Sequence, residues 1–100
     1  MAKMIRVRME SKLPVIFLKE GKTIVAYTPA LDLSTCGQTI EEAKANFEQA
    51  VKIFFRECTK RGTLEDVLIS LGWKKSTTRP QTWQPPEVVG RLDLPIPQFA

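Results

Sequence analysis

The stretch that most restricts the fold runs from Val25 to Ala45, VAYTPALDLSTCGQTIEEAKA. An alternating strand meets a Pro-bounded turn, a second short strand follows, and Gly37 breaks that strand. A helix then opens on Thr39 with Glu42 three residues later, the spacing of a capping box. A small sheet feeding one long helix leaves few layer architectures open. The same stretch holds no nucleophile–base pair, no metal-ligand cluster and no phosphate loop.

Strand patterning extends upstream. Met4 to Met9 alternates, with Met4, Arg6 and Arg8 on one side and Ile5, Val7 and Met9 on the other, which predicts a strand with one wet face. Pro14 leads into Val15-Ile16-Phe17-Leu18, an apolar run too short and too β-branched for a helix, expected as a strand buried on both faces. Pro14 lacks an N–H, so it belongs at the first residue of that strand or on an edge. Glu20-Gly21-Lys22 reads as a hairpin loop, Thr23 to Thr28 as the next strand, and Leu33 to Cys36 as a short one after Pro29.

The helix that follows carries Ile40, Ala43, Phe47, Val51, Phe54 and Cys58 at three- and four-residue spacings, one apolar face. Lys44, Glu48, Gln49, Lys52, Arg56 and Glu57 lie opposite. Lys60 and Arg61 suit the negative end of the helix dipole, and Gly62 is placed to end the helix in a left-handed conformation. A second helix is expected from Thr63 as cap, with Leu64, Val67, Leu68 and Leu71 on one face, Gly72 as stop and Trp73 packing back. From Lys74 the chain turns polar and basic, then Pro-rich. The segment from Trp83 alternates apolar with polar residues, and Pro85, Pro86, Pro95 and Pro97 exclude a helix and limit any pairing to an edge. Its large apolar residues are too many for a disordered segment. The expected fold is therefore α+β. An antiparallel sheet of three to four strands packs on one long helix, then come a short second helix and an extended Pro-rich tail. Residues 1–73 form the domain, and 74–100 form the linker and tail.

Composition narrows the function classes. One hundred residues suffice for one domain with its own core. The net charge of +4 is spread out and no Lys/Arg run exceeds two residues, which is thin for a nucleic-acid stripe. There is no histidine, so the commonest general base and metal ligand are missing. Two cysteines make no disulfide framework, and no apolar run approaches the roughly 20 residues that span a bilayer. The expectation is a cytoplasmic protein with reduced thiols, no cofactor, no metal and no catalytic residue. Cys36, close to the helix start, is the one thiol with a route to activation, and its bland reading is a small buried side chain. Asp32 reads as a turn residue.

Residues 14–61 resemble the HicB-like antitoxin domain. The match rests on Val15 to Glu20, the Gly21 loop, Val25-Ala26-Tyr27-Thr28-Pro29-Ala30-Leu31-Asp32, then Thr35-Cys36-Gly37-Gln38-Thr39 and Glu41-Glu42-Ala43 leading to Asn46. Gln38 stands where the family usually has Asp, and Asp32-Leu33 replaces the common Pro-Gly. The resemblance implies a truncated ribonuclease-H-like fold without catalytic acids. It implies a non-catalytic antitoxin, or an orphan homologue, that binds and masks a small HicA-type ribonuclease toxin. Many such proteins add a C-terminal DNA-binding module; the Pro-rich tail here forms none, which puts DNA binding in doubt.

Two binding surfaces are then expected. The partner-binding candidates are Tyr27 and Asp32 together with Trp83, Val88, Val89, Leu92, Leu94 and Ile96. The alternating tail suits strand addition to a partner or to a sister subunit, giving a homo-oligomer through sheet edge or tail. Trp83 is an anchor either for such a contact or for its own domain. The alternative is an RNA-binding α+β module using Lys3, Arg6, Arg8 and Lys12, with salt-sensitive affinity.

Overall fold

The computed structural model describes residues 12–76 and 82–98. The strand expected over residues 4–9 lies outside them. Among the described residues three antiparallel strands form a meander, β1 (Ile16–Glu20), β2 (Thr23–Thr28) and β3 (Leu33–Gly37), in that spatial order. A long helix α1 (Ile40–Arg61) and a short helix α2 (Leu64–Ser70) follow. Two two-residue strands, β4 (Lys74–Lys75) and β5 (Trp83–Gln84), then pair with each other. The chain is α+β, with the three-stranded sheet packed on one long helix.

Local chemistry sets most of these boundaries. Gly21 takes φ 61° at the first central position of the β1–β2 turn, as a two-residue type II′ hairpin requires. The Thr39 hydroxyl accepts from the Glu42 N–H at 3.0 Å, while the Glu42 carboxylate accepts from the Gln38 N–H at 3.1 Å. The box thus closes one residue further back than the usual reciprocal pair. Gly62 ends α1 at φ 68°; its N–H reaches the Thr59 carbonyl and the Thr63 N–H reaches that of Cys58, a Schellman pair. Thr63 does not cap α2 with its side chain. Its hydroxyl turns back toward the Cys58 carbonyl at 3.4 Å instead.

The core has two linked parts. Ala26, Ala43 and Phe47 fill the sheet–helix interface. Ala30, Leu31, Leu64, Leu68, Trp73 and Trp83 form the second part beneath α2, and Leu33 and Val51 touch both. The Trp73 indole N–H donates to the Ala30 carbonyl at 2.8 Å, tying the Thr28–Asp32 loop to the end of α2. Trp83 is 1% exposed, so the internal of its two expected roles is the one found. The ladder between β4 and β5 holds it there.

The approach of sheet to helix depends on Gly37. A Cβ at this position would lie 2.6 Å from the Ala43 backbone N and 2.9 Å from the Glu42 carbonyl carbon. Only a residue without a side chain lets the end of β3 meet the first turn of α1 this closely. Two expectations are corrected. The run at β1 is not buried on both faces: Ile16, Phe17 and Leu18 are 47%, 40% and 48% exposed. Ile40 is also exposed rather than core. The reason is common to both. Helix α1 lies over β3 and, less, over β2, so Phe17 and Ile40 border an open groove on the β1 side, and no described helix covers Ile16 and Leu18 on the opposite face.

Candidate partner-binding face

Alternation along the strands sorts their side chains onto two faces. Ala26 and Thr28 of β2 are buried toward α1. The register then places Phe17 and Lys19 of β1, and Leu33, Thr35 and Gly37 of β3, on that same side. Two contacts agree. The Thr35 hydroxyl donates to the Ala43 carbonyl at 3.4 Å, and Phe17 lines a groove with Phe47.

The other face carries Ile16, Leu18 and Glu20 from β1, Thr23, Val25 and Tyr27 from β2, and Ser34 and Cys36 from β3. No described helix covers it. Its centre is apolar and half-exposed. None of these eight residues is Lys or Arg, and the charge on the face is the acidic Glu20. Asp32 adds a second carboxylate at the rim, where the Tyr27 hydroxyl donates to its Oδ1 at 3.2 Å. Asp32 sits at φ 48°, a left-handed conformation that Asp tolerates better than most residues. The turn residue expected at position 32 is therefore also the partner of Tyr27. Loss of solvent around the phenol, then the hydrogen bond to Asp32 and its negative charge, raise the Tyr27 pKa above its ordinary value of 10.0.

The remaining candidates fall elsewhere. Val88, Val89, Leu92, Leu94 and Ile96 are exposed along the extended segment after β5. Trp83 is enclosed in its own core and offers no surface. Lys12 is exposed and borders a groove with Leu13, Pro14 and the Gln84–Val88 stretch. Lys3, Arg6 and Arg8 lie outside the described residues. Phe17 points toward the helix side rather than onto the open face that carries Tyr27. Cys36 is exposed on the open face, and its backbone carbonyl accepts from Asn46 Nδ2 at 2.8 Å.

Sequence reading missed two features here. One is the burial of Ala30 and Leu31, whose loop looked like a simple turn; the Leu in it was the available signal. The other is a second surface, an apolar groove of ≈ 430 Å³ lined by Val15, Phe17, Ile40 and Phe47 with Lys44 and Glu48 at its rim. Among the described residues no group of three or more Cys, Asp or Glu is placed to hold a metal ion. No described helix is long and apolar enough to cross a membrane. No family model, curated protein or solved structure matches the chain.

Proposed function

We propose that the chain is a non-catalytic, HicB-like antitoxin, or an orphan homologue, whose open sheet face binds and masks a small HicA-type ribonuclease toxin. The observation that carries this reading is the character of that face. Ile16, Leu18, Val25 and Tyr27 give an apolar centre, Glu20 and Asp32 give the charge, and no Lys or Arg stands among its strand residues. A nuclease that handles RNA must itself present a basic surface. An apolar patch with an acidic rim complements such a partner in both burial and sign. RNA would be repelled by the same rim, which is why protein binding is preferred over the RNA-binding alternative.

The test is co-expression with a small basic protein encoded beside this gene, roughly 60–90 residues long by the usual size of small domains. Co-purification and relief of that protein's toxicity are expected, and Leu18→Glu or Tyr27→Lys should abolish both while leaving the fold intact. A purified chain that binds RNA by itself, with affinity falling steeply as salt rises, would replace this reading with the alternative.

A further inference from the structure

The sheet has two edges, and they are treated differently. At β3 the outward Cys36 carbonyl is taken by Asn46. At β1 no described strand or helix covers the edge. Which β1 amides face outward follows from two independent observations. In a two-residue hairpin the flanking residues, here Glu20 and Thr23, exchange both hydrogen bonds, so Glu20, Leu18 and Ile16 point their amides at β2. The Cys36 carbonyl, turned away from β2 toward Asn46, gives the same parity when counted back through Val25 to Leu18. The N–H and C=O groups turned away from β2 therefore belong to Val15, Phe17 and Lys19, and no described strand pairs with them. Residues paired across an edge share a face, so whatever pairs with these places its side chains on the α1 side. There the groove of Val15, Phe17, Ile40 and Phe47 stands open.

The extended segment after β5 has the matching asymmetry. Leu92, Leu94 and Ile96 alternate with Arg91, Asp93, Pro95 and Pro97. In an extended chain the amides of 92, 94 and 96 point to one edge and those of 91, 93, 95 and 97 to the other. Pro95 and Pro97 have no N–H, so the second edge cannot support a ladder. The one edge able to pair is thus the edge whose residues are all apolar. Leu92, Leu94 and Ile96 are 78%, 74% and 86% exposed, without any burial in their own chain to match their character.

We infer that this segment is a one-sided strand that adds to the β1 edge of a second copy of the chain, setting Leu92, Leu94 and Ile96 into the groove between β1 and α1. The two parities have to agree for this to work, and they do: the outward amides of β1 lie on the groove side, and the pairing amides of the segment lie on the apolar side. Residues 85–88 leave the body beside Leu13 and Pro14, at the start of β1, and a Cβ at Gly90 would meet nothing. The strand therefore departs next to the same kind of edge that it fills in the other copy. Reciprocal exchange makes two identical junctions about a twofold axis. Residues 87–97, β1 and the groove lining together supply about twenty residues a side, the size of a standard stable interface. The proline edge faces outward after pairing, so no third copy can add, and assembly stops at the dimer. This inference stands apart from the antitoxin reading.

The test is light scattering of the full chain over a concentration series, with three variants. The wild-type chain is expected to dimerise. Leu94→Pro removes an N–H and a side chain from the pairing edge and should weaken the dimer about a hundredfold. Arg91→Pro alters the blocked edge and should leave it within about threefold. Phe17→Asp should weaken the dimer like Leu94→Pro, and mixing the two weakened variants should restore one of the two junctions. A chain that stays monomeric at all concentrations would overturn the inference, as would occupation of the β1 edge by its own segment or by its own residues 4–9. Equal damage from Arg91→Pro and Leu94→Pro, or a dimer indifferent to both, would overturn it too.

Discussion

Replacing Gly37 with Ala tests the packing of sheet on helix directly. The added Cβ would sit 2.6 Å from Ala43 N, 2.9 Å from the Glu42 carbonyl carbon and 3.0 Å from Ala43 Cα. All three are backbone atoms, so no rotamer change relieves the clash. Raising 2.6 Å to an ordinary contact of 3.4 Å requires β3 and α1 to part by about 0.8 Å. That displacement breaks the 3.4 Å bond from Thr35 to the Ala43 carbonyl and strains the 2.8 Å bond from Asn46 to the Cys36 carbonyl. Overpacking costs about 1–3 kcal/mol and each lost hydrogen bond about 1 kcal/mol, so roughly 2–4 kcal/mol is expected in total. A domain of this size has about 5–15 kcal/mol to lose. Urea unfolding, followed through the two buried tryptophans, is the assay. With a slope of about 1.5 kcal/mol per molar, the midpoint should fall by roughly 1.3–2.7 M. Gly90→Ala is the matched control, because its Cβ meets nothing within 4 Å and its midpoint should not move. A Gly37→Ala midpoint within about 0.3 M of the parent would refute the close approach of β3 to α1.

Further outcomes follow from single contacts. Tyr27 is the only tyrosine, so absorbance at the phenolate band titrates it alone, with a midpoint above 10.0 that drops toward 10.0 in Asp32→Asn. A raised folded-state value means the fold favours the protonated phenol, so this contribution to stability is whole below pH 10.0 and is lost as pH rises through the folded pKa. Trp73→Phe leaves the Ala30 carbonyl without its 2.8 Å donor and should cost about 1–3 kcal/mol by denaturant unfolding, while the ring contact with Phe55 survives. Thr39→Ala removes the cap on the Glu42 N–H and should cost about 1 kcal/mol in the same assay, whereas Thr39→Ser should cost little.

Much of the fold was legible in the chain because its signals are local. Strand β2 spans the Thr23–Thr28 that alternation and Pro29 mark out, and α1 begins and ends where Thr39, Glu42 and Gly62 place it. Capping and positive φ are settled within one turn of backbone, so the residues that decide them are neighbours in sequence. Tyr27 and Asp32 were legible as single candidates but not as a pair, since their contact depends on how the four-residue turn between β2 and β3 folds back.

What the sequence determined alone is the three strands of the meander and the two helices, in their order, and the one edge on which prolines leave residues 91–97 able to pair, because proline and alternation act residue by residue. Only tertiary structure decided which surfaces those elements bury. An apolar run such as Ile16-Phe17-Leu18 has the same periodicity at a sheet centre and at an edge; the strand order puts it at the edge of the described sheet, and α1, lying mainly over β3, leaves it exposed. Trp83 was equally fit for a partner or a core until β5 paired with β4 and enclosed it. Burial is a relation between distant segments, and no window of neighbouring residues contains it.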